Sequence, residues 1–203
     1  MARRLPTVLS DEELAAIYRQ VNEVTVTGKR NRALLQIMAD AGLRVSEACN
    51  LDTADLQREN GRIISLMVRH GKGNKDRAVF FGEQLSDKLL HWLDARAALG
   101  VTRGPVFVTV KHGAGKRMSP RSVQQLVKRL AAAAGIERQV TPHTFRHTSA
   151  TRSYRATGNL RIVQANLGHA RLETTAIYTH VQDAERRAAA EALPPVDGDR
   201  KGE

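Results

Sequence analysis

The chain has 203 residues, 41% of them hydrophobic, and a formal net charge of +11 at neutral pH. This is enough apolar material for one core, and no apolar run approaches the roughly 20 residues that cross a bilayer. The sequence shows no signal-peptide pattern, and a single cysteine, Cys49, excludes an internal disulfide. We therefore expect a cytoplasmic protein with no membrane partner and with Cys49 buried.

The positive charge is concentrated in one stretch. Residues 103–161 hold twelve Lys or Arg and one acidic residue, Glu137, so this stretch carries a surplus equal to the whole net charge. Residues 181–203 are slightly acidic. The asymmetry favours a polyanionic partner, bound less tightly as salt rises. The alternative is a basic surface that serves only solubility.

Capping signals and helical spacing predict two helices near the start. Ser10 and Glu13 form a capping box that opens a helix reaching about Val24. A second helix is expected over residues 29–41, with Gly42 as its C-cap.

A short helix, VSEACNL, is expected just after Arg44, and a β region follows it. RIISLMV predicts a strand over 62–68, and AVFF predicts another over 78–81. HGKGNKD suits a hairpin turn between them. After an amphipathic helix over 84–99, VFVTV predicts a third strand over 106–110.

From Ser119 onward the pattern is helical, with Pro120 as the first helical residue. Helices are predicted over residues 120–134, 143–157, 159–167, 172–179 and 181–192. Residues 194–203 are polar and rich in helix breakers, which predicts a disordered tail. The expected fold class is mainly α with a small antiparallel β-sheet (α+β).

Patches that are distant in sequence carry side chains suited to cutting a phosphodiester without a metal. Such a reaction needs a nucleophile, cations on the non-bridging oxygens and an acid for the leaving 5′ oxygen. His143 and Arg146, three apart on a helix, share a face and could hold one phosphate. Lys72, at the hairpin tip, is a candidate acid, and Tyr178 is a candidate nucleophile.

Taken singly, these residues have other roles open to them. Lys72 could be a solvated turn lysine, and Arg44 could be a surface charge or a structural partner of Glu47. His143 and His147, four apart, could ligate a metal. The segment HTFRH lacks the glutamate of HExxH, however, and no carboxylate cluster lies near it in sequence.

Together, the motifs resemble the tyrosine recombinases, also called the phage integrase family. The matching motifs are GLRVSEACNL with Arg44, GKGNKDR with Lys72, HTFRHTSAT with His143 and Arg146, LGH with His169, and Tyr178 nine residues later. The resemblance covers about residues 29–192 and is close to the bacterial Xer and integron or transposon integrase branch. It implies the DNA breaking-rejoining catalytic fold.

The resemblance implies site-specific recombination with no metal, ATP or other cofactor. Tyr178 would attack the scissile phosphate to give a 3′-phosphotyrosyl enzyme, and strands would exchange through a Holliday junction. Lys72 would protonate the 5′ oxygen, and His143 would act as acid and base near the tyrosine. The outcome could be integration, excision, inversion or resolution.

The remaining family positions imply supporting roles. Arg44 and Arg146 would hold the non-bridging oxygens, His169 would donate a further hydrogen bond to the phosphate, and Glu47 would orient the site. Contacts to the DNA backbone are expected from Lys75, Arg77, Arg117, Arg121, Lys128 and Arg152.

The expected partners are double-stranded DNA with specific sites, further copies in a dimer or tetramer on DNA, and accessory proteins, in the nucleoid-associated part of a bacterial cytoplasm. Residues 1–180 would form the catalytic domain, and 181–193 a helix that is exchanged between protomers or packs back in cis. The family's N-terminal core-binding domain is expected to be absent, in a fragment or in a naturally short recombinase. Two other classes stay open: a non-catalytic DNA-binding accessory protein and a type IB topoisomerase.

Overall fold

The computed structural model of the chain describes residues 7–69, 76–110 and 115–168. The helices in these ranges are α1 (Asp11–Arg19), α2 (Val26–Asp40), α3 (Val45–Asn50), α4 (Glu83–Ala97), α5 (Pro120–Ala133), α6 (Pro142–Thr157) and α7 (Leu160–Leu167). The strands are β1 (Leu56–Glu59), β2 (Arg62–Val68) and β3 (Arg77–Phe80), and a 3₁₀ turn spans Thr53–Asp55. The predicted class, mainly helical with a small antiparallel sheet, is confirmed.

The three strands are antiparallel and lie in the order β1, β2, β3. The strand predicted over 62–68 is confirmed at both ends, and the strand predicted over 78–81 is β3, one residue earlier. Leu66 pairs with Val79, and both are fully buried. This pair sets the face of the sheet that packs on the core, because side chains alternate between the two faces of a strand.

The strand predicted over residues 106–110 is wrong. Among the described residues, this region forms only isolated bridges, Val108 with Arg117 and Pro105 with Asp52. Its first three residues are nonetheless completely buried. The apolar run that suggested a strand therefore fills the core as an irregular segment without a neighbouring ladder.

The third strand is β1, which the sequence analysis missed. An Asn60-Gly61 turn with positive φ at both residues (49° and 77°) joins β1 to β2. Asn-Gly is a strong hairpin signal, but LQRE is polar and three of its four residues are exposed. Without apolar alternation, the strand left no periodic signal.

The capping box of Ser10 and Glu13 is confirmed, whereas the first helix is shorter than predicted. It ends at Arg19, with Gln20 as its C-cap. Thr25 then accepts a hydrogen bond from the Gly28 N–H and caps a new helix. Helix α2 therefore starts at Val26, earlier than predicted. The cap at Ser119 and Pro120 is also confirmed.

The core is centred on α2, which packs against α4 and α6. Its residues Leu34, Leu35, Ile37 and Met38 are completely buried. Cys49 is buried, as expected. This central helix leads directly into the turn before α3, so the packing of α2 fixes where that turn lies.

Several predicted features lie outside the described residues: the hairpin tip, the helices over 172–179 and 181–192, and the tail. Within the described ranges, no helix combines the length and the apolar character needed to cross a bilayer. α2 contacts α3 and α6, and α7 contacts both α6 and β3. The candidate site lies where these elements meet.

Candidate active site

A tight turn between α2 and α3 forms the base of the site. Ala41 is the C-cap of α2, and Gly42, predicted as the cap itself, follows with a φ of +64°. A Cβ at Gly42 would lie 2.6 Å from Cδ2 of Leu167 and 2.9 Å from Oγ of Ser149. Glycine thus allows both the left-handed backbone and the close approach of α6 and α7. The turn places Arg44 as the N-cap of α3.

The carboxylate of Glu47, in the first turn of α3, lies close to arginine side chains from three parts of the fold. Its Oε1 accepts from Nη1 of Arg44 at 2.7 Å, and its Oε2 accepts from the Arg44 backbone N–H at 2.8 Å. Arg77 adds a two-pronged pair, Nη1 to Oε1 at 3.0 Å and Nη2 to Oε2 at 2.9 Å. Nη1 of Arg146 lies 3.7 Å from Oε2. One carboxylate therefore neighbours three guanidinium groups.

The electrostatics of this cluster keep Glu47 ionised. Burial opposes its charge, but hydrogen bonds from the Arg77 side chain and the Arg44 backbone, together with the charge of Arg77, outweigh it and hold the pKa of Glu47 at about 2. Guanidinium groups this close would repel one another without an anion between them. The geometry therefore fits the orienting role predicted for Glu47.

Arg146 joins the turn before α3 to the end of α7. Its Nη1 donates to the Gly42 carbonyl at 2.6 Å, and its Nη2 donates to the Leu167 carbonyl at 2.5 Å. The side chain is only 4% exposed. Because an arginine carries five N–H donors in a fixed plane, these two bonds orient the whole guanidinium group.

His143 lies one turn before Arg146 on α6, which Thr141 caps and Pro142 begins. Its ring is stacked on that of His147, with centroids 5.9 Å apart and planes 24° apart. Burial, followed by the nearby His143 and Arg146, lowers the pKa of His147. Within the described ranges, no group of three His, Cys, Asp or Glu side chains is arranged to hold a metal ion.

A cleft of about 800 Å³ opens beside these groups, between α3, α5 and the start of α6. Arg44, His143 and Arg146 line it, and Lys128 of α5 lines another part of its wall. The structure thus brings two predicted phosphate-binding arginines and the predicted acid-base histidine to one cavity. Arg44 is about 100 positions from His143 and Arg146 in the chain, so only the tertiary fold brings it to them.

Four predicted site residues, Lys72, Lys75, His169 and Tyr178, lie outside the described residues. Lys72 and Lys75 belong to the link between β2 and β3, and His169 directly follows Gly168 in the sequence. Their roles stay predictions.

The residues predicted to contact the DNA backbone fall into two groups. Arg121 and Lys128 are exposed and lie two turns apart on α5. Arg152 pairs instead with Asp40 at 2.9 Å and with Asp11 at 3.0 Å. The exposed pair is open to a ligand, whereas Arg152 already has carboxylate partners.

Arg117 also has partners within the protein. Its guanidinium donates to the carbonyl of Cys49 at 2.9 Å and to the carboxylate of Asp52 at 2.6 Å. These contacts hold the end of α3, the helix that carries Glu47. The DNA contact predicted for Arg117 stays a prediction, and the structure gives the side chain an additional, structural task.

Arg77 is the site residue whose contacts the sequence analysis did not foresee. It was predicted on the DNA backbone, but its side chain is 12% exposed and binds Glu47, 30 positions away, and the Asn166 carbonyl, 89 positions away. No local spacing connects these residues. By contrast, the Arg44–Glu47 contact follows from their i,i+3 spacing.

Comparison with known proteins gives consistent matches over most of the chain. Residues 7–185 match the Phage integrase family. Tyrosine recombinase XerC of Corynebacterium efficiens is 36% identical over 182 residues, covering 89% of this chain and 56% of that protein. Tyrosine recombinase XerA of Thermococcus kodakarensis is 37% identical over 189 residues, covering 93% of this chain and 63% of that protein. The chain thus spans a little more than half the length of such relatives.

Solved structures agree with the sequence matches. The crystal structure of XerA recombinase superimposes with a TM-score of 0.77 at 32% identity, covering 97% of this chain and 67% of that one. XerH site-specific recombinase, in a crystal structure of the post-cleavage complex with palindromic difH substrate, superimposes with a TM-score of 0.75 at 31% identity. The match covers 93% of this chain and 54% of that one. The described fold is that of the tyrosine recombinase catalytic domain.

Proposed function

Since this chain belongs to the phage integrase family, we propose that it is a tyrosine recombinase, which cuts DNA at specific sites and rejoins the ends to new partners. The observation that carries the proposal is the convergence of Arg44, His143 and Arg146 on one cleft beside ionised Glu47. The names of the relatives support it, and XerH is bound to its DNA substrate.

In the proposed reaction, the phenolic oxygen of Tyr178 attacks the scissile phosphorus. The new Tyr–O–P bond forms as the P–O5′ bond breaks, which leaves a 3′-phosphotyrosyl adduct and a 5′-hydroxyl. His143 accepts the phenolic proton and Lys72 supplies a proton to the 5′ oxygen, so atoms and charges balance. The adduct keeps the energy of the phosphodiester, and a second 5′-hydroxyl can reseal the strand without ATP.

Arg44 and Arg146 would stabilise the charge on the non-bridging oxygens as the phosphorus becomes five-coordinate, and His169 would add a hydrogen bond. Arg44 is suited to this task because its side chain is 25% exposed and lines the cleft, while Glu47 holds one edge of its guanidinium group. Fixed donors of this kind each lower a barrier by roughly 3–4 kcal/mol.

The proposed partner is double-stranded DNA that carries a recombination site. The exposed Arg121 and Lys128 on α5, which flanks the cleft, support a DNA surface next to the reacting groups. Recombination joins two duplexes, so we propose that dimers and tetramers form on DNA, linked by residues 181–193.

The test is trapping of the covalent adduct. A pool of nicked duplexes with a randomised centre is incubated with the protein; loss of the short fragment beyond the nick prevents resealing. We expect a DNA adduct that survives boiling in detergent, forms equally in EDTA and is absent in Tyr178→Phe. Sequencing the trapped DNA identifies the site. The proposal is wrong if Tyr178→Phe still forms the adduct or if EDTA abolishes it.

The same DNA separates the two other classes. A non-catalytic accessory protein would bind the pool and form no adduct. A type IB topoisomerase would relax any supercoiled plasmid and would not exchange strands between two copies of the selected site. The proposed recombinase exchanges strands only between plasmids that carry this site.

A further inference from the structure

Arg77, the first residue of β3, directs its side chain into the protein. All three nitrogens of its guanidinium group donate to protein acceptors: Nη1 and Nη2 to the two oxygens of Glu47, and Nε to the Asn166 carbonyl at 3.0 Å. The planar guanidinium group thus binds Glu47 through its two terminal nitrogens and the Asn166 carbonyl through Nε at the same time. Arg77 therefore connects α3 to the C-terminal end of α7.

The end of α7 is held by two arginines. Arg77 binds the Asn166 carbonyl and Arg146 binds the Leu167 carbonyl, which are among the last carbonyls that a helix leaves without internal partners. Cations are favourable at this end of a helix dipole. The two side chains thus fix the end of α7 relative to Glu47.

Gly168 completes this junction. It ends α7 with a φ of +64°, and a Cβ there would lie 2.9 Å from Cδ and 3.0 Å from Nε of Arg77. The Arg77 side chain therefore lies directly against the backbone that leads into His169. Arg77 thus contacts both the carboxylate that binds Arg44 and the backbone at the end of α7.

Arg77 is nevertheless absent from the cleft that Arg44, His143 and Arg146 line. We propose that Arg77 is a positioning residue for strand cleavage rather than a DNA-backbone contact: it joins Glu47, which holds Arg44, to the end of α7, which holds Arg146, and so keeps these two arginines in register. The inference rests on the proposed recombinase function.

The contacts of Arg77 require an arginine. A lysine has its three N–H donors on one nitrogen at the end of a flexible stem, so it cannot reproduce the planar group that binds both oxygens of Glu47 and the Asn166 carbonyl together. Arg77→Lys keeps the charge, so it separates geometry from electrostatic attraction to DNA. Arg69→Lys is the matched control: Arg69 flanks the same hairpin, its side chain is 57% exposed and it pairs with Asp55 outside the cleft.

The experiment measures adduct formation in a single turnover with the nicked duplex selected by the wild-type protein. The rate at saturating protein reports cleavage, half-saturation reports DNA affinity, and the amplitude with DNA in excess reports the folded fraction. We expect Arg77→Lys to lower the saturated rate about 10- to 100-fold, as for a small misplacement of reacting groups, with half-saturation changed less than about twofold. Arg69→Lys should keep the saturated rate of the wild type.

A double-mutant cycle tests whether Arg77 acts through Glu47. In a Glu47→Gln background, we expect the effect of Arg77→Lys on the saturated rate to shrink to less than about threefold, because coupled residues are not additive. A full effect in that background overturns the positioning role. So does weakened affinity at an unchanged rate, which would mean a DNA contact, or a reduced amplitude at an unchanged rate, which would mean a purely structural role.

The two proposals fail differently. If the wild-type protein forms no adduct with any duplex of the pool, the recombinase function is wrong and the positioning role falls with it. If the wild-type protein forms the adduct and Arg77→Lys forms it at the same rate, only the positioning role is wrong.

Discussion

Two groups of basic side chains differ in what they face. Arg77 and Arg146 point into the junction of α3, α6 and α7, where they bind Glu47 and backbone carbonyls. Arg121 and Lys128 are exposed on α5. The net charge counts the two groups alike, but their surroundings assign them different tasks. We propose that the inward group, held in a fixed geometry, serves strand cleavage and that the outward group, which is exposed, serves DNA affinity.

Arg44 lies between these groups. One edge of its guanidinium group is held by Glu47, yet the side chain is 25% exposed and lines the cleft, compared with 4% for Arg146. Two arginines that are expected to bind the same phosphate can therefore differ in how much they contribute to the stability of the fold. Variants of the two should separate catalysis from stability.

The largest expected effect comes from these two arginines. Arg44→Ala and Arg146→Ala should each slow cleavage at saturating protein by about 10²- to 10³-fold, because each removes a fixed donor to the developing charge. DNA affinity should change much less.

Only Arg146→Ala should also lower the free energy of unfolding substantially, by roughly 3 kcal/mol or more, since it removes a buried group from carbonyl and carboxylate partners. Urea denaturation measures this difference. An equal loss of stability in Arg44→Ala would contradict the inward and outward distinction.

The next largest expected effect is the loss of folding stability at acid pH that the protonation of Glu47 causes. Its pKa is about 2 in the folded protein, against an ordinary value of 4.5. A depressed pKa stabilises the fold fully above about pH 4.5, and this contribution is lost as the pH falls toward 2. Full loss corresponds to up to about 3 kcal/mol. Glu47→Gln should therefore show a flatter fall in unfolding free energy between pH 5 and 2.5.

Glu13 is the matched control on the protein surface. The hydrogen bond from Arg138 is the largest cause that lowers its pKa, also to about 2. Because this pair is partly exposed, at 29% for Glu13 and 40% for Arg138, solvent and salt screen it. Glu13→Gln should change the acid response less than Glu47→Gln does, and 0.5 M salt should remove most of its effect. A larger effect from Glu13→Gln would break the comparison between the two environments.

The smallest effects are expected from the outward group. Arg121→Gln and Lys128→Gln should each weaken DNA binding several-fold and lower the salt slope by about 0.9, as for one phosphate contact. Binding titrations between 50 and 300 mM salt measure this slope. A larger change in the saturated cleavage rate than in affinity would place these residues in the chemistry instead.

The sequence predicted most helices because caps and apolar periodicity are local. Ser10 with Glu13, and Ser119 with Pro120, mark helix starts that the structure confirms. β1 escaped prediction because it is polar, and the buried segment after Pro105 was mistaken for a strand because apolar runs fit either state. Local sequence patterns therefore predict helices better than they predict which segments pair as strands.

The candidate site divides in the same way. The family resemblance of the motifs selected Arg44, His143 and Arg146, and the structure brings them to one cleft. The inward contacts of Arg77 were not predictable, because Glu47 and Asn166 are far from it in sequence and its own segment, GKGNKDR, resembles an exposed turn. Which arginines face inward is decided by tertiary packing.

The most direct test of the central claim is to locate the covalent link in the trapped adduct. Trypsin releases the peptide 172–186, in which Tyr178 is the only tyrosine. After nuclease digestion, mass spectrometry should find a nucleotide joined through its 3′-phosphate to Tyr178 in that peptide. A nucleotide on another residue, or one joined through a 5′-phosphate, would contradict the account.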